Sequence, residues 1–345
     1  LSSKVQLFRT KPYIILCYEA LFRQLKPQYR KNQILLNEYY NHQAGFQGEK
    51  YSDYTVSIFP HKDAYIYQGI RLKNGPYFFQ IDTLIVAKTF ILILEIKHWK
   101  SEIEYDSNTH QTTQNSDDKR KAFRSPILQA NNQKMQLTSW LQKRHFPNLP
   151  IETIAILSNP ATILTYKGES EEFHHKFIHL DHLPAILEQH YANYTRPYLD
   201  HGSMNKLNNA LLKNHTPHKP DLIKQFGITN DHLIKGIECN DCSYSPLIYK
   251  KRKWYCSNCD KFSETAHVQK ILDYFLLINP MITNKACREL LLVESPRVVY
   301  RLLNSMNLRY TGNNSARKYF APRLDEYPQD YTLPSKSKSV FSSLF

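Results

Sequence analysis

The sequence predicts an α/β domain followed by two smaller modules, one built on four cysteines and one of short helices with a hairpin. Three observations predict it. Two runs dense in β-branched and aromatic residues, Tyr77–Ala87 and Phe90–Lys97, flank Lys88-Thr89 and read as adjacent strands. Ser125-Pro126 opens a long helix, with Ser as N-cap and Pro at the first helical position, and another apolar strand follows at Ile151–Leu157. Strands with an intervening long helix make an α/β core. Near the C-terminal end, two Cys-x-x-Cys pairs precede helical patterns punctuated by Pro280 and Ser295-Pro296.

In chain order, residues 1–40 read as a basic, aromatic arm or helix, with Lys4, Arg9, Lys11, Arg23, Lys26, Arg30 and Lys31 among apolar positions. Gly45 and Gly48 mark a break before a helix or strand entry at Tyr51–Ile58. The α/β domain spans residues 41–182. Within it, the polar stretch Ser107–Lys121 has no periodicity and is expected as a loop. The helix from Pro126 runs to about Arg144, and a short strand covers His175–Leu180. Residues 183–236 read as a helical linker, 237–262 as the cysteine module, 267–322 as the helical module and 323–345 as a flexible tail ending in an apolar Val340–Phe345.

The 345 residues include 41% hydrophobic and 22% charged residues, which excludes wholesale disorder. Lys and Arg number 45 against 31 Asp and Glu, a net charge of +14 that favours phosphate-rich partners. Residues 201–345 hold 21 Lys and Arg against 12 Asp and Glu, so backbone contacts are expected there. No apolar run reaches the roughly 18–20 residues of a membrane span, and clustered cysteines point to metal and a reducing compartment. The expected location is the cytoplasm.

Cys239, Cys242, Cys256 and Cys259 form two knuckles separated by thirteen residues, suited to a closed tetrahedral shell of a structural Zn²⁺ ion. Redox-active cysteines are the competing reading. Between the knuckles lie Lys250, Lys251, Arg252, Lys253 and Trp254, a basic and aromatic set suited to phosphate contact and base stacking, or alternatively a solvated hairpin tip.

From Pro296 to Asn307, Val298, Val299, Leu302, Leu303 and Met306 share one helical face, and Arg297, Tyr300, Arg301 and Asn304 share the other. Behind Thr283–Val293 this is the layout of a winged helix-turn-helix, with a wing around Gly312 carrying Arg317 and Lys318. A small helical bundle with an Arg-rich surface, or a protein-binding winged helix, is the alternative. His174, His175, His179 and His182 fit no ligand spacing and read as surface histidines.

Asp82 interrupts an apolar strand, and Glu95-Ile96-Lys97 ends the next. Ionisable groups in buried strands need a reason, because an unpaired buried charge is costly. Period two places Glu95 and Lys97 on one face, and a hairpin would bring Asp82 across from Glu95. Asp82, Glu95 and the Ile96 carbonyl would offer hard oxygen ligands to Mg²⁺ or Mn²⁺, with Lys97 beside them. A structural ion pair is the plainer alternative.

The order Gly45-Phe46-Gln47-Gly48-Glu49, Gln80-Ile81-Asp82, Leu94-Glu95-Ile96-Lys97, Ser125-Pro126-Ile127-Leu128-Gln129 resembles the nuclease-related domain (NERD) family over about residues 40–160. That family is similar to the restriction-endonuclease-like PD-(D/E)xK nucleases, which implies a mixed sheet flanked by helices. The resemblance implies Glu49 from a leading helix, Asp82 and Glu95 as metal ligands, Lys97 as catalytic lysine and Gln129 lining the cleft. Ile81 stands where the superfamily name has Pro. The expected function is a metal-dependent nuclease acting on DNA; an inactive DNA-binding protein of the same fold and an RNA-binding or RNA-processing protein are the alternatives.

Overall fold

The computed structural model of the chain describes residues 5–116, 119–168 and 171–329. In order, these fold as β1 (Val5–Leu7), α1 (Tyr13–Gln24), α2 (Gln33–Ile58), β2 (Ala64–Asn74), β3 (Tyr77–Ala87), β4 (Ile91–Lys97), β5 (Glu102–Asp106), β6 (Gln111–Ser116) and β7 (Lys119–Phe123). There follow α3 (Pro126–Gln142), β8 (Ile151–Leu157), β9 (Ile163–Lys167), β10 (Phe177–His179), α4 (Leu183–Asn193), α5 (His201–Asn214) and α6 (Leu222–Gln225). The last part holds β11 (Ile248–Lys250), β12 (Lys253–Tyr255), β13 (Phe262–Ser263), α7 (Ala266–Leu277), β14 (Met281–Thr283), α8 (Asn284–Leu291), α9 (Pro296–Ser305), β15 (Tyr310–Thr311) and β16 (Lys318–Phe320). They divide into two compact units: β1 and Arg9 with Gln43–Pro217, and Thr10–His42 with His218 onward.

The first unit is built on a mixed sheet of order β1-β2-β3-β4-β8-β10. β2, β3 and β4 are antiparallel, whereas β8 runs parallel to β4 and to β10, and β1 parallel to β2. Alternation along β4 sends Ile91 and Ile93 into a core with Trp140 of α3 and Leu207 of α5. Leu92, Leu94 and Ile96 enter the opposite core with Val56 of α2 and Leu187 of α4. The stretch expected as a helical linker thus begins with α4 and α5, whose apolar faces cover the two sides of this sheet.

Two expectations need correction here. The polar stretch Ser107–Lys121 is not a loop: β6 and β7 lie in a second sheet of order β7-β6-β5-β9. β6 and β7 are held by backbone pairing, and β6 buries Thr112 and Thr113 rather than large apolar side chains, so no hydrophobic period marked them. Gly45 and Gly48 do not break the chain, since both lie inside α2. Tertiary packing overrides the propensity of Gly48. A Cβ there would lie 2.3 Å from the Cβ of His98 and 2.6 Å from Ser158 Oγ, so only glycine lets the helix approach the ends of β4 and β8.

In the second unit, Leu247 and Trp254 meet Phe275, Cys287, Val299, Leu303 and Tyr319 in a shared core. The strands β11, β12 and β13 form a small antiparallel sheet beside the four cysteines. Helix α7, strand β14, helices α8 and α9 and the pair β15–β16 follow, with β14 and β15 both pairing with β16. Ser295 caps α9 by accepting from the Val298 N–H at 3.4 Å. Two basic residues of the N-terminal stretch are neutralised within their own unit: Arg23 pairs with Asp273 at 2.7 Å and Arg30 with Glu238 at 2.7 Å. The apolar end Val340–Phe345 lies outside the described residues.

Candidate active site and metal centre

β3 and β4 stay paired as far as Thr83 opposite Leu94, and the ladder opens at the next step. The inward alternation of β3 also changes phase there, because Ile81 and Leu84 face the same core. Its partner β2 shifts in the same place, at Gly69, whose φ of 72° favours glycine. Asp82 sits at this defect. Its Oδ2 accepts from the Ile96 N–H at 2.8 Å, while its Oδ1 has no hydrogen-bond partner among the described residues. The N–H and C=O of one strand residue point to the same neighbour, which turns the Ile96 carbonyl toward Asp82 as well.

Glu95 lies on the α3 side of β4 and is 1% exposed. Its Oε1 accepts from Lys97 Nζ at 2.6 Å and its Oε2 from Gln133 Nε2 at 2.6 Å. Lys97 Nζ also donates to Gln129 Oε1 at 3.1 Å. Gln129 and Gln133 stand four residues apart and therefore share a face of α3. Burial, followed by the charge of Asp82, pushes the Glu95 carboxyl up to about 7. Burial alone would lower the Lys97 ammonium, but Glu95 and Asp82 hold it above its ordinary value.

Glu49 and Asp53 project from α2, and both are engaged by Arg9. Arg9 Nη1 donates to Glu49. Its Nε reaches Asp53 Oδ2 at 2.7 Å, and Nη2 reaches Asp53 Oδ1 at 3.0 Å, the Asp82 carbonyl at 2.7 Å and Thr83 Oγ1 at 3.2 Å. Burial, then repulsion from Asp82, pushes the Glu49 carboxyl up to about 8 despite the guanidinium. Arg9 and Lys97 are the cations bonded to these four carboxylates among the described residues, with Lys50 acting on Asp53 from farther off, and the acids still outnumber them.

The structure brings Asp82, Glu95, Lys97 and Gln129 into one neighbourhood, with Glu49 linked to it through Arg9. Sequence reasoning missed Arg9, Asp53 and Gln133. The spacing Glu49-x3-Asp53 and Gln129-x3-Gln133 carried a signal for two of them. Nothing local marked Arg9, which reaches the site only because β1 pairs with β2.

Elsewhere, Cys239 and Cys259 Sγ are 3.7 Å apart and Cys242 and Cys256 Sγ 3.5 Å, with all four within 4.8 Å of one another. Two matching turns hold them. The Ser243 and Asp260 N–H groups donate to the Cys239 and Cys256 carbonyls, and both turn residues have φ near +60°. These thiols can hold a metal ion. No other group of three His, Cys, Asp or Glu ligand atoms meets this spacing among the described residues, so Glu49, Asp82 and Glu95 do not close around one point as a trio.

Lys250, Lys251, Arg252 and Lys253 are exposed on the β11–β12 hairpin. Trp254, expected to stack on bases, is fully buried, rests against Tyr249 and donates from its indole to His267 at 3.2 Å. Period two explains the correction: Lys253 faces outward, so Trp254, next along β12, faces inward. On α9, Arg297, Tyr300, Arg301 and Asn304 are exposed, while Val299, Leu302 and Leu303 are buried. Lys318 is exposed, and the Arg317 guanidinium covers the Tyr310 ring at 4.1 Å. Among the described residues, no helix is long and apolar enough to cross a membrane.

No curated protein and no solved structure matches the chain. A family model does: residues 44–158, the stretch that carries Glu49, Asp82, Glu95, Lys97 and Gln129, match the nuclease-related domain, NERD. The chain carries a nuclease-related domain of restriction-endonuclease-like fold, with a four-cysteine cluster beyond it.

Proposed function

We propose that the chain is a metal-dependent nuclease that hydrolyses phosphodiester bonds in DNA. The observation that carries this reading is the triad at the open end of β3 and β4: buried Glu95 against Lys97, with Asp82 bonded to the intervening Ile96 amide. The donor set fits a hard cation, since Asp82 keeps one free oxygen and the carboxylates outnumber the ammonium and guanidinium groups around them.

Asp82, Glu95 and the Ile96 carbonyl would hold Mg²⁺ or Mn²⁺, which when bound makes water acidic and offsets phosphate charge. Lys97, steered by Glu95 and Gln129, orients the attacking water and stabilises charge on the phosphoryl oxygens. Gln133 fixes the Glu95 carboxylate, and Arg9 offsets the charge of Glu49.

The second unit would hold the substrate. Zn²⁺ is the metal that best suits the thiols, because a tetrahedron of Zn–S bonds of about 2.3 Å has edges of about 3.8 Å, close to the Sγ spacings of 3.5 and 3.7 Å. Such a closed shell is structural, and it would fix a zinc ribbon whose hairpin presents Lys250–Lys253 to phosphates. The order of α7, β14, α8, α9 and β15–β16 supports reading this part as a winged helix, in which Arg297, Tyr300, Arg301 and Asn304 would lie on the recognition helix and Lys318 on the wing. Reduced thiols throughout the chain fit a cytoplasmic protein.

The test is cleavage of labelled duplex, single-stranded and RNA substrates with Mg²⁺ or Mn²⁺. Wild type should cut duplex DNA, and Glu95→Ala and Lys97→Ala should not. Duplex binding without cleavage would favour instead an inactive DNA-binding protein, a reading supported by the commitment of Glu49 to Arg9. Preference for RNA would move the function to RNA processing.

A further inference from the structure

We propose that Arg9 is a permanent cation of the carboxylate site, which holds Glu49 and Asp53 apart from Asp82 and Glu95 so that the site takes a single divalent ion. The inference rests on the reading of Asp82 and Glu95 as metal ligands. It concerns a residue outside the stretch matched by the family model.

Arg9 is placed by construction. β1 runs parallel to β2, and the Arg9 N–H donates to Gln68 Oε1 on that strand at 2.9 Å. The side chain is 5% exposed, and its guanidinium donates to Glu49, to both oxygens of Asp53, to the Asp82 carbonyl and to Thr83 Oγ1. The planar fork matches the Asp53 carboxylate in a two-pronged pair, which a lysine ammonium cannot reproduce. Through the Asp82 carbonyl and Thr83, the same group pins the backbone of the strand that presents the Asp82 carboxylate.

Four acids this close need neutralising charge. In nucleases with two ions, a pair of divalent cations roughly 3.5–4 Å apart supplies it. Here the guanidinium already occupies the Glu49 and Asp53 side, and Lys97 is bound to Glu95. What remains for an exogenous ion is the Asp82–Glu95 side with the Ile96 carbonyl. The division into pairs agrees with the finding that, among the described residues, no three acids of this region each place a ligand atom within 4.8 Å of the others. Arg9 is thus a positioning residue, acting on the site through the acids it holds.

The test is titration of the zinc-loaded full chain with Mn²⁺, read by calorimetry and by loss of the free-ion EPR signal. Wild type should bind one Mn²⁺ ion that Glu95→Gln abolishes. Arg9→Met should bind two, and Arg9→Lys, which keeps the charge, should stay at one. Two Glu95-dependent ions on wild type would overturn the proposal, and this count needs no Arg9 variant to fold. So would a folded Arg9→Met that binds one ion with unchanged affinity. Absence of any Glu95-dependent ion on wild type overturns the metal reading itself, and the role of Arg9 with it.

Discussion

The two clusters proposed to hold metal differ in how they are closed. The four thiols come from twenty-one consecutive residues, Cys239 to Cys259, and face one another within 4.8 Å. The carboxylate site gathers Arg9, Glu49, Asp53, Asp82, Glu95, Lys97, Gln129 and Gln133 from α2, β3, β4, α3 and the segment after β1, and its acids are held by side-chain cations and amides instead of by each other. On the proposed reading, a closed shell of identical soft ligands would leave no position for substrate and would serve the fold, whereas an open set of hard oxygens, crowded enough to push Glu95 up to about 7, would keep capacity for a cation and serve chemistry.

The sharpest way to break this comparison is to remove the metal proposed at the thiols. Structural zinc contributes about 10–16 kcal/mol of apparent binding energy in small zinc-finger peptides. Chelation, or Cys256→Ser, should therefore unfold the β11–β13 sheet and expose Trp254, measured as a red shift of tryptophan emission and loss of amide protection over residues 248–263. The first unit should keep its fold. Cooperative loss of both units on chelation would show that the thiol site is not a local device.

The carboxylate site should respond in the opposite sense, losing activity with its fold intact. Glu95→Ala or Lys97→Ala should lower cleavage by roughly 10²- to 10⁴-fold without changing the far-UV circular dichroism. Residual cleavage within a few-fold of wild type would remove Glu95 from the chemistry.

A third change probes how α2 meets the strand ends. Gly48→Ala would drive a methyl group into His98 and Ser158 at 2.3 and 2.6 Å. Overpacking of this kind costs about 1–3 kcal/mol, readable as a lower Tm. Cleavage should fall further than stability, because the displaced helix carries Glu49. A stable and fully active Gly48→Ala would mean that the position of Glu49 is immaterial.

Much of the fold was legible from local pattern. β3 begins at Tyr77 and ends at Ala87 where the apolar alternation does, and Ser125-Pro126 starts α3 because both residues suit the first helical turn. Asp82, Glu95 and Lys97 stood out as charges in apolar strands, and Cys239–Cys259 by spacing. Three things were not legible. β6 and β7 pair through backbone groups under polar side chains, so hydrophobic period could not find them. Gly48 reads as a break until the strand ends it packs on are known. Arg9 looks like one basic residue among several, and only the pairing of β1 with β2 carries it to Glu49.

The smallest expected effect separates the inside of the thiol module from its outside. Trp254 is buried beneath the hairpin and joins the core of the second unit, whereas Lys251 and Arg252, at the turn with φ of 50° and 63°, have exposed side chains. The two classes should fail differently. Trp254→Ala should cost about 3–5 kcal/mol of stability and weaken binding only as the module melts. Lys251→Ala and Arg252→Ala should leave Tm unchanged and each reduce the slope of log K against log salt by about 0.9 for every duplex phosphate that the truncated side chain no longer neutralises. Salt titrations of a short labelled duplex, at a temperature where all variants are folded, measure both. An unchanged slope in the double Lys251→Ala/Arg252→Ala variant would make the hairpin tip a solvated turn and leave α9 and the β15–β16 pair as the proposed nucleic-acid surface of the second unit.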